Sequence, residues 1–148
     1  VGLIGISEKE GAICSVFFAR QAEPEGKATS ILHEAQKQLT EYFNKKRNFF
    51  DLVLSEEGTD FQKKVWQALR TIPYGQTRSY KQIAELIGQP KAARAVGMAN
   101  NKNPIAIITP CHRVIGADGS LVGYASGLKI KQILLDLEKI ATFETSQN

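Results

Sequence analysis

"TDFQKKVWQALRTIPYGQTRSYKQIAELIGQPKAARAVGMAN", residues 59–100, holds the most sharply punctuated helical pattern of the 148-residue chain. Thr59-Asp60-Phe61-Gln62 has capping-box spacing, in which the first and fourth side chains satisfy each other's backbone N–H groups. Phe61, Val65, Ala68, Leu69 and Ile72 then form one apolar stripe, which Pro73-Tyr74-Gly75 ends. Ser79-Tyr80-Lys81-Gln82 repeats the capping spacing, Ile83, Leu86 and Ile87 are the expected buried face, and Gly88 with Gln89-Pro90 is a stop signal. A further helix is expected through residues 91–100. Two short helices joined by a tight Gly-containing turn predict a helix-turn-helix.

The second of these helices places one long cation, Arg94, among Ala92, Ala93, Ala95 and Gly97. A helix that reads base edges offers several long polar side chains. This one is built for close approach, and a lone Arg on it can fill a gap in a base stack.

On the N-terminal side, Leu3–Ile6 and residues 12–18 flank a Glu8-Lys9-Glu10-Gly11 turn and predict a β-hairpin. A third strand is expected at residues 49–54. Ile31, Leu32, Ala35, Leu39, Tyr42 and Phe43 recur at helical spacing, so a helix lies across that sheet. The fold class expected is α+β. Residues 1–58 form a scaffold domain with a small antiparallel β-sheet and a helix, and residues 59–148 a mainly helical, winged-helix-like domain containing the helix-turn-helix. A last helix carries Ile130, Ile133, Leu134 and Leu137 on one face. Glu138 falls near its expected C-terminus, where a carboxylate is disfavoured unless it has a specific cationic or donor partner.

Composition narrows the function classes. The chain is 43% hydrophobic and 23% charged, ordinary for a globular protein with a real core. It has no run of about 18 apolar residues, and its start lacks the basic and long apolar regions of a secretory signal. The expectation is a soluble intracellular protein with no membrane partner, cytoplasmic, or nuclear in a eukaryote. Net charge is +4, unevenly spread: residues 59–113 hold nine Lys/Arg against Asp60 and Glu85, or +7, leaving −3 elsewhere. Such segregation is the footprint of a phosphate-binding face. Two cysteines and two histidines are too few for a disulfide framework or a four-ligand metal site, so no metal is expected. Cys14, in an apolar run, reads as a small core hydrophobe.

Cys111 is the open question. In "ITPCHRVIG", residues 107–115, it sits beside His112, and it reads as a nucleophile, a metal ligand or packing. Pro104 and Pro110 stiffen the approach, which reads as a strand, and Asn103 is placed to hydrogen-bond backbone across it.

The motifs FDLVL, GTDFQKKVW, IPYGQTRSY, RAVGMANNKNP, PCHRV and GYASGL ahead of LLDLE together resemble the O6-alkylguanine-DNA alkyltransferase family (methylated-DNA–protein-cysteine methyltransferase). The resemblance runs from about Tyr42 to Glu138. It implies DNA repair by irreversible, stoichiometric transfer of the alkyl group from O6-alkylguanine, and by extension O4-alkylthymine, to Cys111. His112 is implied as the base that reaches the thiol through a water, and Glu138 as the carboxylate that orients it. Tyr80 is implied to turn the nucleotide out and assist proton transfer to the leaving guanine, Arg94 to fill the vacated stack, and Asn103 to act as a hinge. The small residues Ala92, Ala93, Ala95 and Gly97 would face the minor groove. Val114, Tyr124, Ala125 and Ser126 would line the pocket, with the carbonyls of Cys111 and Val114 accepting the guanine amine. Ala106 stands where many members have Pro, which implies a less stiff loop. The implied partner is double-stranded DNA carrying alkylated guanine, with no cofactor, for a monomer whose cooperativity on DNA is left open.

Two other classes share some of these features. A helix-turn-helix regulator or an alkylation-damage sensor would bind DNA without chemistry, but such sensors typically have Trp in place of the acceptor cysteine. A cysteine hydrolase would use Cys, His and a carboxylate, but it needs an oxyanion hole and leaves Tyr80 and Arg94 without a role.

Overall fold

The computed structural model describes residues 2–19, 21, 26 and 28–147, those from 140 to 147 in backbone only. Its contacts divide the chain into two units, Val1–Glu57 with Pro104–Ile108, and Gly58–Asn103 with Thr109–Asn148.

In the first unit β1 (Leu3–Lys9) and β2 (Ala12–Ala19) form an antiparallel hairpin with a bulge at Ser7/Glu8. Its two-residue turn, Glu10-Gly11, has positive φ at both positions (53° and 81°), the geometry that matches strand twist in tight hairpins. Helix α1 (Ser30–Phe43) is N-capped by Thr29 and packs on the hairpin through Ala35, Gln38, Leu39 and Tyr42, all buried. The expected third strand is reduced to one parallel bridge, Ile13 to Leu54. The buried Gln38 amide explains this: Nε2 donates to Asp51 O (3.1 Å) and Oε1 accepts from Asp51 N (2.9 Å). A helix side chain thus satisfies backbone that a strand neighbour would otherwise hold.

Residues 104–108, which the sequence division assigns to the C-terminal part, pair instead with β2 of this unit. Val16 N donates to Pro104 O and Ala106 N to Val16 O, both at 3.0 Å. The expected strand leading to Cys111 is absent. After the bridge at Ile105 the chain turns sharply: Ile107 has φ +70° and Ile108 N donates to Ala106 O at 2.7 Å, a γ-turn. A β-branched residue in that region is strained by roughly 1–3 kcal/mol. Burial of Ile105 and Ile107, at 0% and 1% exposure, offsets it. Ala106 therefore does not loosen the loop. Its N–H makes a bond to β2 that proline could not.

In the second unit α2 (Asp60–Leu69) and α3 (Tyr80–Leu86) both start with complete capping boxes, Thr59/Gln62 and Ser79/Gln82. Helix α4 (Ala93–Asn101) follows a turn with Gly88 at φ +78°. The three helices pack on one another through Val65, Trp66, Leu69, Ile83, Ala84, Val96 and Ala99. Trp66 Nε1 donates to Ala99 O at 2.8 Å, pinning the end of α4 to α2. Leu86 is 61% exposed rather than buried; Ala84 takes its place, because the short helix turns Ile83 and Ala84 inward. Cys111–Arg113 form one 3-10 turn, and β3 (Arg78–Ser79) pairs in parallel with β4 (Val114–Ile115).

Helix α5 (Leu128–Gln147) runs nine residues beyond Glu138, so that carboxylate lies mid-helix and not at a terminus. Its buried face is Lys131, Leu134 and Glu138, whereas Ile133 is 39% exposed. Helical spacing is kept. The rotation differs from the apolar stripe because two charged side chains have partners inside.

Candidate active site

The second unit brings Cys111, His112 and Glu138 together, with Arg113 and Lys131 beside them. The 3-10 turn directs three successive side chains inward, and all three are buried. Cys111 N donates to Thr109 O (2.8 Å), and Thr109 is held by Asn103 Nδ2 to its carbonyl and by Arg70 NH1 to its hydroxyl, each at 2.8 Å. The approach to the cysteine is thus fixed from both sides.

His112 Nε2 lies 2.6 Å from Glu138 Oε2. Arg113 grips the same carboxylate in a fork, Nε to Oε1 at 2.8 Å and NH2 to Oε2 at 3.0 Å, and its NH1 donates to Ile72 O. Burial raises the Glu138 pKa, but the hydrogen bonds from His112 and Arg113, with the Arg113 charge, outweigh it and hold the carboxyl at about 2. Burial lowers the His112 pKa in spite of Glu138, so the imidazole is neutral at pH 7. With Glu138 ionised, Nε2 is the N–H donor, and Nδ1 is an acceptor, buried without a hydrogen-bond partner.

Lys131 is fully buried, with Nζ donating to Val114 O (2.6 Å) and Val122 O (2.9 Å) and lying 6.0 Å from the Tyr124 ring centroid. Burial lowers its pKa and the charge of Cys111 raises it. Burial likewise pushes the Cys111 thiol up, against the pull of the Asn103 amide, the Tyr124 hydroxyl and the Lys131 charge. Arg113 and Glu138 pair with each other, and the Lys131 ammonium favours the thiolate form of Cys111 against the larger, opposing effect of burial.

Tyr124 is 9% exposed, its hydroxyl is buried beside Cys111, and burial followed by the Cys111 charge raises its pKa far above the ordinary phenol value. Ala125 and Ser126 are exposed. Tyr80 is partly exposed, and its hydroxyl donates to Val122 O at 2.9 Å, so one carbonyl receives both Tyr80 and Lys131. A Cβ on Gly97 would stand 3.7 Å from the Tyr80 ring. Along α4, Arg94, Ala95 and Met98 are exposed, and Ala93 and Gly97 are half-buried, as is Ala92 just ahead of the helix. The arrangement does not bring Arg94 into the buried cluster; it stands on the helix surface.

The sequence reading passed over Arg113, Lys131 and Asn100. A signal existed for two of them: Arg113 follows the Cys-His pair, and Lys131 precedes Glu138 by seven residues, two helical turns, on one face. Asn100, 1% exposed, donates from Nδ2 to Cys111 O at 3.3 Å, and nothing in its local pattern marks it.

Fold and site together define an α+β protein in which a buried cysteine adjoins a neutral histidine oriented by an ion-paired carboxylate. Residues 60–140 match the family model for the DNA-binding domain of 6-O-methylguanine DNA methyltransferase, and residues 1–55 that for its ribonuclease-like domain. Methylated-DNA–protein-cysteine methyltransferase of Methanosarcina barkeri is 67% identical over 109 residues, covering 74% of this chain and 69% of the relative. The constitutive enzyme of that name in Bacillus subtilis is 47% identical, over 95% of this chain and 92% of the relative. The crystal structure of Mycobacterium tuberculosis OGT in complex with DNA superposes with a TM-score of 0.86 at 47% identity, covering 93% of this chain and 87% of that one. The chain belongs to the 6-O-methylguanine DNA methyltransferase family. No helix among the described residues is long and apolar enough to cross a membrane.

Proposed function

We propose that this protein repairs DNA by taking the alkyl group of O6-alkylguanine, and by extension of O4-alkylthymine, onto Cys111, once per molecule. The observation that carries the reading is the His112–Glu138 hydrogen bond of 2.6 Å, which makes Nδ1 a buried, unpartnered acceptor on the residue next to Cys111. Because Nδ1 has no direct partner, the thiol proton reaches the imidazole through one bridging water. The thiolate sulfur then attacks the alkyl carbon in line, the C–O6 bond breaks, and guanine leaves with the electron pair. Tyr80, once released from Val122, assists proton delivery to the leaving base. No step hydrolyses the thioether, so the protein is a reagent consumed by its reaction.

A base inside a duplex must be extruded first. Arg94, exposed on a helix of small residues, is suited to occupy the vacated stack, and Ala92, Ala93, Ala95 and Gly97 allow that helix to lie close to a minor groove. Val114, Tyr124, Ala125 and Ser126 form the pocket, and Asn103 ties α4 to the acceptor loop. We assign DNA binding and alkyl acceptance to residues 59–148 and a scaffold role to residues 1–58. The partner is duplex DNA bearing alkylated guanine, met by a monomer in the cytoplasm, or in the nucleus of a eukaryote.

Incubation with duplex DNA carrying radiolabelled O6-methylguanine should label Cys111 with at most one group per chain. Cys111→Ser should take no label and still bind DNA. Continued release of product with the protein unlabelled would refute the reading.

A further inference from the structure

The position of the acceptor cysteine depends on Thr109. Cys111 N donates to Thr109 O at 2.8 Å across Pro110, whose φ of −82° and ψ of 66° are those of an inverse γ-turn. A turn of one residue with its φ fixed by proline passes any movement of Thr109 straight to the cysteine. Thr109 is fully buried, and its hydroxyl accepts from Arg70 NH1 at 2.8 Å. A hydrogen bond from a guanidinium is roughly twice as strong as one between neutral groups.

Arg70 is the C-cap of α2, and the same end of that helix holds the far side of the acceptor turn, where Ile72 O accepts from Arg113 NH1 at 2.8 Å. The residue two before Cys111 and the residue two after it are thus fastened to positions 70 and 72. Arg70 has no part in the proton relay. The side chains that act on the Cys111 thiol are Asn103, Tyr124 and Lys131, so what Arg70 contributes is geometry.

We propose that Arg70 is a positioning residue for alkyl transfer: with Arg113 it clamps the acceptor turn to the end of α2, so that the Cys111 sulfur is held in line with the carbon it attacks. This rests on the alkyl-acceptor reading above. A misplacement of about 1 Å can slow such a displacement by about 100-fold. The Asn103 and Arg113 contacts survive the loss of Arg70, so the turn persists while its precision falls.

Benzyl transfer from free O6-benzylguanine to the full chain, read by intact mass over a range of concentrations, separates the limiting rate from the half-saturating concentration. Arg70→Met and Thr109→Val, assayed well below their melting temperatures, should each lower the limiting rate roughly tenfold and leave the half-saturating concentration within about twofold. The double variant should be no slower than either single one, and Arg70→Lys, which keeps a donor, should recover part of the loss. Should Arg70→Met not fold, Thr109→Val and Arg70→Lys carry the test. Iodoacetamide needs no fixed partner geometry, so it should alkylate Cys111, followed by peptide mass, at least as fast in the variants as in wild type. An unchanged limiting rate in the folded variants, or losses that multiply in the double variant, overturns the proposal. So does a raised half-saturating concentration with the rate held, which places Arg70 in substrate binding, or parallel slowing with iodoacetamide, which places it in thiol ionisation. A wild type that reacts with iodoacetamide but takes no benzyl group would instead refute the alkyl-acceptor reading and this inference with it.

Discussion

Glu138→Gln isolates the charge at the centre of the site. The carboxylate accepts from His112 at 2.6 Å, twice from Arg113 at 2.8 and 3.0 Å, and from Gly75 N at 3.4 Å, with Glu138 1% exposed and Arg113 7%. Glutamine keeps the shape but removes the charge and turns an NH2 group toward donors, leaving the Arg113 guanidinium buried and unbalanced. Breaking one side of a buried pair costs about 3–5 kcal/mol. For a chain of this size that is a fall in melting temperature of roughly 6–20 °C. The double variant Arg113→Met/Glu138→Gln should be less destabilised than the two single variants summed, since no unbalanced charge remains. Acid behaviour supplies the sign. A carboxyl held at about 2 in the folded state contributes stability above its unfolded pKa near 4.3, and this is lost as pH falls from there to 2. The contribution is on the order of 3 kcal/mol. His112, lowered by burial, adds a loss of the same sign as pH falls through its unfolded value near 6.5. Urea melts between pH 7 and 3 should therefore slope steeply in the wild type and more gently in Glu138→Gln. A melting temperature within about 2 °C of wild type, or an unchanged acid slope, would refute the assignment of Glu138 as a buried, ion-paired carboxylate.

Lys131→Met should move the pH dependence of Cys111 alkylation by a simple thiol reagent upward, because it removes the ammonium whose charge pulls the thiol pKa down against burial; a profile that stays in place would show that the charge is not felt. Arg94→Ala should slow transfer from duplex DNA by tenfold or more, on the order of 1.4 kcal/mol, and leave benzyl transfer from free O6-benzylguanine within about twofold. Equal losses on both substrates would remove Arg94 from the base-extrusion step.

Local rules determined much of this protein from sequence alone. The capping boxes at Thr59/Gln62 and Ser79/Gln82, the Glu10-Gly11 turn and the helices around them depend on residues within one or two turns of each other, so their chemistry is written contiguously. Cys111 and His112 were legible for the same reason, and the unfavourable place expected for Glu138 pointed to a partner, although the helix proved longer than its pattern suggested. Tertiary contact decided the rest. Gln38 replaced a strand neighbour at Asp51, the N–H of Ala106 found Val16, and the pairing of Lys131 with two carbonyls turned α5 so that a lysine, not Ile133, faces inward. Arg113, Lys131 and Asn100 are polar residues that would stand in water on any isolated helix or loop. They are buried because groups from 9 to 41 residues away in the chain complete their hydrogen bonds, and burial of a charge or amide is favourable only once those distant partners have been brought into contact.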